Sequence, residues 1–335
     1  MHSAHPGLPA LQAWAQHQGA RWGLQQPIVV ALSAGADSVA LLHAAAHVWP
    51  HRVQAIHINH GLQAAAADFE ALAQSACRAL HVPLHIERVQ AQPKPGESPE
   101  AAARQSRYAA LAQKAQQLQA AVVLLAHHAQ DQSETVLLAL SRGAGLPGLS
   151  GMAPSFERHG VHFARPWLGV SGVALRDWLQ AHSIPYAQDP TNADVHYTRN
   201  RIRHQVLPAW RHAFEAADEM LARSARHAAQ AHGLLQELAA QDLLSLGQQP
   251  LIKPLQALSP ARQANVLRYW LAHDHHTQAS DAQLQALLQQ VSACTTRGHH
   301  IELKVGHGQV VREGAALVFV PLSTLGVKDA KAADL

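Results

Sequence analysis

The chain has 335 residues, 48% apolar and 15% charged, with 26 Lys+Arg against 23 Asp+Glu and a further 26 His. This apolar content at a net charge of +3 excludes full-length disorder, and no run approaches the roughly 18 unbroken apolar residues of a membrane-spanning helix. The two cysteines, Cys77 and Cys294, lie far apart, which excludes a disulfide scaffold and a cysteine zinc site and points to a reducing, cytoplasmic setting.

Met1 to Arg21 reads as an Ala/Gln helix, without the basic start and apolar run of a signal peptide. Strands and helices then alternate. Pro27 to Ser33 is a β-branched run, Asp37 to Val48 helical, Val53 to Ile58 a strand, Ala64 to Leu80 helical and Leu84 to Val89 a third strand. After the loop Pro93 to Pro99 come the helix Glu100 to Leu118, the apolar strand Ala121 to Ala126 and the helix Gln130 to Arg142. Such alternation predicts an α/β fold, a doubly wound parallel sheet covered on both faces. Beyond the glycine-rich stretch Gly143 to Gly151, a strand (Val161 to Arg165), a helix (Gly172 to His182) and the polar segment Asp189 to Arg203 follow. Trp210 to Leu246, Ser259 to His273 and Ser280 to Val291 read as helices. Ile301 to Val305, Gln309 to Arg312 and Ala316 to Val320 read as short strands. Two domains are expected, 1–213 and a mainly helical 214–322 with a small β element, then a tail, 323–335.

The first strand runs into a helix through Ser33-Ala34-Gly35-Ala36-Asp37-Ser38. Small residues let the backbone approach a pyrophosphate. The free N–H groups and dipole of the first helical turn favour an anion there. Ser33 and Ser38 add hydroxyls, and Asp37 is suited to hold Mg²⁺ against a phosphate. The segment is neither a Walker A loop nor G-x-G-x-x-G. The bland alternative is a serine-capped helix packed closely on its strand.

This loop resembles the S-G-G-x-D-S loop of the N-type ATP pyrophosphatases, with Ala34 where that family has Gly. Four more segments narrow the likeness: His57 to Leu62, Glu97 to Tyr108, His127 to Thr135 running on to Gly145, and Asp189 to Asp194 leading to Tyr197 to Arg203. In this order and spacing they resemble the tRNA(Ile)-lysidine synthetase family, strongly over residues 25 to 215 and more loosely around Arg262 to Leu271. The resemblance implies an adenine-nucleotide-alpha-hydrolase-like sheet. It also implies ATP with Mg²⁺, L-lysine, and the isoleucine tRNA with a CAU anticodon as partner, with a homodimer as one possible assembly. The reaction it implies is adenylation of the wobble cytidine at its C2 oxygen by ATP, followed by displacement of AMP by the lysine ε-amine.

On that resemblance, Ser33 to Ser38 hold the phosphates, and Ile58 and Asn59 offer an adenine platform. Asp131 and Glu134, three apart on one helix face, meet the lysine amines, and one of them takes the proton. Arg104 faces phosphate or carboxylate, and His127 serves in a leaving-group or general-base role. Gln130 departs from the family, which has a carboxylate there. Between Arg199 and Arg226 lie six Arg (199, 201, 203, 211, 223, 226) against Glu215, Asp218 and Glu219. This basic stripe suits tRNA, with Arg199, Arg201 and Arg203 as its core. Two rivals stand beside this reading. One is a tRNA thiolation enzyme of the same superfamily, disfavoured by the scarcity of cysteine. The other is a nucleotide-binding sensor without catalysis, for which Ala34 and Gln130 would speak.

Overall fold

The structure is a computed structural model that describes residues 4–18, 26–59, 66–89, 99–188, 194–247, 249–296 and 298–322. His60 to Leu62, Glu97, Ser98, Asp189 to Ala193 and the tail from residue 323 lie outside the described residues. The chain divides into two compact units, residues 1–229 and 230–335.

The first unit is built on six strands: β1 (Ile28–Ala31), β2 (Val53–Asn59), β3 (Leu84–Arg88), β4 (Val122–Leu124), β5 (Ser155–Arg158) and β6 (Val161–Ala164). Their order in the sheet is β3-β2-β1-β4-β6-β5. β1 pairs in parallel with β2 and β4, β2 with β3, and β4 with β6. Helices α1 (Leu8–Gln18), α2 (Ala36–Val48), α3 (Ala66–Ala79), α4 (Pro99–Gln117), α5 (Ala129–Leu140), α6 (Leu146–Leu149) and α7 (Gly172–Ala181) complete the alternation.

β1 shows why the sheet is covered twice. Successive strand residues face opposite ways. Ile28 and Val30 join a core with Leu41, Leu42, Trp167 and Leu175, whereas Val29 joins one with Ile56, Tyr108, Leu111 and Phe163. A strand buried on both faces has to be apolar throughout, as Ile-Val-Val-Ala is.

One edge departs from the all-parallel expectation. β5 runs antiparallel to β6, with Phe156 opposite Phe163. The connection is His159-Gly160, far shorter than the dozen or so residues of a parallel crossover. Both have positive φ, 51° and 69°, as a tight two-residue hairpin turn demands.

After α7 the chain forms α8 (Thr198–Arg201), a π-helical turn (Ile202–Val206), α9 (Leu207–Ala213) and the long α10 (Ala217–Ser245), within which the two units divide. Ile202, Leu207, Leu221 and Ala225 pack with Val136 and Leu137 of α5. This stretch was expected to hold a polar segment and one long helix. The break at Phe214 and the helical path from Thr198 were not anticipated.

The second unit, taken by itself, holds α11 (Ile252–Ala257), α12 (Pro260–Asp274), α13 (Asp281–Ala293) and the antiparallel sheet β7 (Glu302–Val305), β8 (Gly308–Glu313), β9 (Ala316–Pro321). Ser280 opens α13 as a reciprocal cap. Its Oγ accepts Gln283 N–H at 3.2 Å, and Gln283 Oε1 accepts Ser280 N–H at 2.9 Å. Trp270, Leu271, Leu284, Leu287, Val310 and Leu317 form its core. Asp242 is buried and bonded by Arg262.

Candidate active site

The strand order reverses direction between β1 and β4. The chain leaves β1 toward β2 and β3 on one side, and returns to β4 on the other. Open α/β sheets bind ligands at the carboxyl ends of strands beside such a reversal. The loop after β1 and the residues after β4 meet there.

The loop is held by its own groups. Ser38 Oγ donates to Gly35 O at 2.9 Å and accepts Ser33 N–H at 3.2 Å, and the two serine oxygens are 3.1 Å apart. Gly35 N–H donates to Ser33 Oγ at 3.3 Å, and the buried His57 ring bonds Leu32 O at 2.8 Å. Ala34 is fully buried with φ 66°, in the left-handed region that costs a residue with a Cβ about 1–2 kcal/mol. Its carbonyl accepts Ala187 N–H at 2.8 Å. Ala36 and Asp37 begin α2, so the anion-favouring end of that helix opens onto the loop. Asp37 Oδ1 is buried without a hydrogen-bond partner. A carboxylate oxygen that accepts no hydrogen bond, with Arg176 Nη1 3.9 Å away, fits a Mg²⁺ shared with phosphate, which needs only one or two protein carboxylates.

The residues after β4 close on Asp37. His128 Nε2 stands 3.4 Å from Asp37 Oδ2 and 3.6 Å from Asp131 Oδ2, and Asp131 Oδ2 accepts His128 N–H at 3.0 Å. Burial alone would lower the His128 pKa. The Asp37 hydrogen bond and the charges of Asp131 and Asp37 outweigh it and hold the imidazole above its ordinary value. Asp131 shows the converse: burial would raise it, but His128 and Arg199 help hold the carboxyl below its usual range. His127 lies outside this bridge. Burial pushes it down to about 4, with Arg165, Arg199 and Arg104 adding to the fall against Asp131, and its buried Nδ1 has no partner.

Glu134 is 1% exposed and closed by two guanidinium groups. Its Oε1 accepts Arg203 Nε–H at 2.6 Å, and its Oε2 accepts Arg199 Nε–H at 2.8 Å and Arg203 Nη2–H at 3.1 Å. Arg203 Nη2 also stands 3.8 Å from Asp131 Oδ1. Arg199 and Arg203 were expected to face RNA; both reach inward instead, and Arg201 between them is exposed. Among the described residues Asp131 Oδ1 accepts no hydrogen bond, and its ion pair with Arg203 is longer than those of Glu134, so Asp131 is the less tightly held carboxylate of the pair.

Asn59 Nδ2 donates to Glu70 Oε2 at 3.0 Å at the end of β2, beside Ile58. A cavity of about 360 Å³ opens there, lined also by Gln74 and Arg88. Arg104 is exposed near the start of α4, its guanidinium 5.9 Å from the Tyr108 ring centre.

Two participants were missed by sequence reasoning, and a third was noted there only as a departure. His128, not its neighbour His127, bridges the carboxylates. Arg176 of α7 stands 3.9 Å from Asp37. Gln130 accepts Gly172 N–H at 2.7 Å and donates to Asp218 at 3.2 Å. A signal for the first existed: His128 directly precedes the acid-bearing helix, where an N-terminal side chain turns back on its own first turn.

Comparison with known proteins adds identity to this geometry. A family model described as a PP-loop domain matches residues 12–210, and one described as the TilS substrate binding domain matches residues 251–318. The tRNA(Ile)-lysidine synthase of Polaromonas naphthalenivorans is 57% identical over 293 residues, covering 88% of this chain and 89% of its own. That of Bordetella pertussis is 40% identical over 297 residues, covering 85% and 92%. Among solved structures, the U34-tRNA thiolase NcsA from Methanococcus maripaludis, with its iron–sulfur cluster, aligns at a TM-score of 0.53. It shares 12% identity over 65% of this chain and 79% of that one, a likeness of fold alone.

Proposed function

The chain belongs to the tRNA(Ile)-lysidine synthase family, and on that premise we propose how its residues divide the work. The activity is that of an ATP-dependent ligase acting on tRNA. In the proposed scheme the O2 atom of the wobble cytidine attacks the α-phosphate of ATP and diphosphate leaves. The lysine ε-amine then adds at C2, its proton passes to the protein, and the C–O bond to AMP breaks. The modified tRNA reads AUA in place of AUG. Residues 1–213 carry the catalysis and residues 214–322 recognise the tRNA.

The observation that carries this division is the contact between the loop and α5: Asp37, His128 and Asp131 form one bonded cluster at adjoining strand ends. Ser33, Gly35, Ser38 and the first turn of α2 would cradle the phosphates, with Ala34 and Ala36 leaving room for them. Asp37 would hold Mg²⁺, whose charge offsets that of the diphosphate. The edge of β2 at Ile58 and Asn59 would receive adenine.

Asp131, whose Oδ1 accepts no hydrogen bond among the described residues, would orient the lysine amine and take its proton. Glu134 is a weaker choice, since both oxygens of its buried carboxylate already accept hydrogen bonds from the half-buried Arg199 and Arg203. Glu134 instead fixes Arg199 and Arg203, which line the approach to Asp131. His127 is a neutral imidazole beside the reaction, and Arg104 supplies positive charge at the rim. The reaction belongs in the cytoplasm, where ATP and tRNA meet; no described helix is long and apolar enough to cross a membrane.

Sulfur transfer is disfavoured on chemical grounds. Both cysteines are buried and free, and burial pushes the Cys77 thiol up to about 12, where no thiolate forms. Incubation with ATP, lysine and tRNA, followed by digestion and mass analysis of the nucleosides, tests the proposal. Cytidine gaining lysine with loss of water is the expected product. A sulfur-sized gain, or ATP binding without diphosphate release, would sink it.

A further inference from the structure

We propose that Asp218 is a positioning residue for the active-site helix, acting on α5 through Gln130 and Ser133. Asp218 lies in the first turn of α10, where an acid is ordinarily explained by the helix dipole alone. Its carboxylate is turned elsewhere. Oδ1 accepts Ser133 Oγ–H at 2.6 Å and Arg211 Nη2–H at 3.2 Å. Oδ2 accepts Arg211 Nε–H at 2.9 Å and Gln130 Nε2–H at 3.2 Å. Ser133 is fully buried, so this bond has little competition from water.

Gln130 and Ser133 are three apart on α5, beside Asp131 and Glu134 on the adjoining face. The segment 199–218 therefore grips α5 twice, by Arg199 and Arg203 at Glu134 and by Asp218 at Gln130 and Ser133. The second grip also sets the amide of Gln130. Its oxygen takes Gly172 N–H, and its nitrogen must then face Asp218. A carboxylate at 130 could accept from Gly172 but would place two negative groups about 3 Å apart, where like charges repel strongly. The Gln at position 130 is thus the partner that Asp218 requires.

The inference rests on the reading of α5 as the helix that orients lysine. The test is a polarity swap in the full chain. Asp218→Asn turns one acceptor into a donor facing a donor, and Gln130→Glu turns one donor into an acceptor facing an acceptor. Together the two changes restore the donor–acceptor pair between positions 130 and 218 and keep the cluster's net charge, while the Arg211 Nε bond to Oδ2 stays lost.

Each single variant should lose about tenfold or more in kcat/KM for lysine, because a small misplacement of reacting groups is costly. ATP affinity, set by the loop after β1, should stay at the wild-type value. The double variant should recover part of that loss and exceed both singles, since the bond between positions 130 and 218 returns while the Arg211 Nε bond to Oδ2 does not. A merely structural role would instead lower the melting temperature and leave kcat/KM of the folded enzyme alone. Should Asp218→Asn fail to fold, Ser133→Ala removes one bond and should shift the same ratio in the same direction. Wild-type kcat/KM in the folded singles, or a double variant no better than the worse single, overturns the proposal. Asp131→Asn with full activity would instead overturn the reading of α5 itself, so the two failures are distinguishable.

Discussion

Ala34 sits where a positive φ is needed and a glycine would be relaxed. Replacing it with Gly relieves about 1–2 kcal/mol of backbone strain but removes a buried methyl worth about 0.8 kcal/mol and frees the unfolded chain. The terms nearly cancel, so Ala34→Gly should keep its melting temperature within about 3 °C and keep diphosphate release undiminished. A clear loss of release would mean that the methyl shapes the phosphate cradle. The loop itself was legible because an apolar strand must end somewhere, and Ser-Ala-Gly-Ala-Asp-Ser is where apolarity stops and small residues begin. The choice between His127 and His128 was not legible. Adjacent side chains leave the backbone in different directions, and which one meets Asp37 depends on how β4 sits beside β1.

At the scale of elements, α5 and α7 meet with little room to spare. A Cβ on Gly172 would stand 2.7 Å from the His128 ring. Gly172→Ala should therefore push His128 out of its bridge, costing about 1–3 kcal/mol of stability and up to about a hundredfold in turnover. An unchanged turnover would remove His128 from the active cluster.

A second histidine group gathers around Trp178 of α7, from α2, from the residue that caps α7 and from the residues before α1. The His43 ring lies 5.7 Å from Trp178, with His5 4.3 Å and His182 4.5 Å from the same indole. Burial pushes His43 down to about 4, and the charges of His5 and His182 push the same way. The unfolded chain, with an ordinary value near 6.5, binds the proton first. Stability is therefore full above about 6.5 and falls as pH drops toward 4. Melting curves across that window should be flatter for His43→Gln than for wild type, with equal slopes as the refuting result. Helices α2, α4, α5 and α7 were legible from their apolar spacing. The π-helical turn at Ile202–Val206 was not, because the wider turn leaves no mark in residue type. It was hidden further by Arg199 and Arg203, which resemble a solvated basic face until Glu134 is placed beneath them.

Across the first unit, the basic stripe is thinner than composition suggests. Arg199, Arg203 and Arg211 are spent on Glu134 and Asp218, whereas Arg201, Arg223 and Arg226 are exposed. Each phosphate contact contributes about 0.9 to the slope of log affinity against log salt. Replacing Arg201, Arg223 and Arg226 together should weaken tRNA binding and flatten that slope by up to about 3, while ATP-driven chemistry at saturating tRNA persists. An unchanged slope would place the RNA elsewhere. The bond from Asp218 to α5 bears also on how such proteins could recombine. A catalytic module cut at residue 213 and joined to a foreign partner would carry Gln130 and Ser133 but leave their carboxylate behind. The smallest portion that travels with its active-site helix intact reaches past Asp218 into α10, so the inheritable unit is longer than the sheet that defines it.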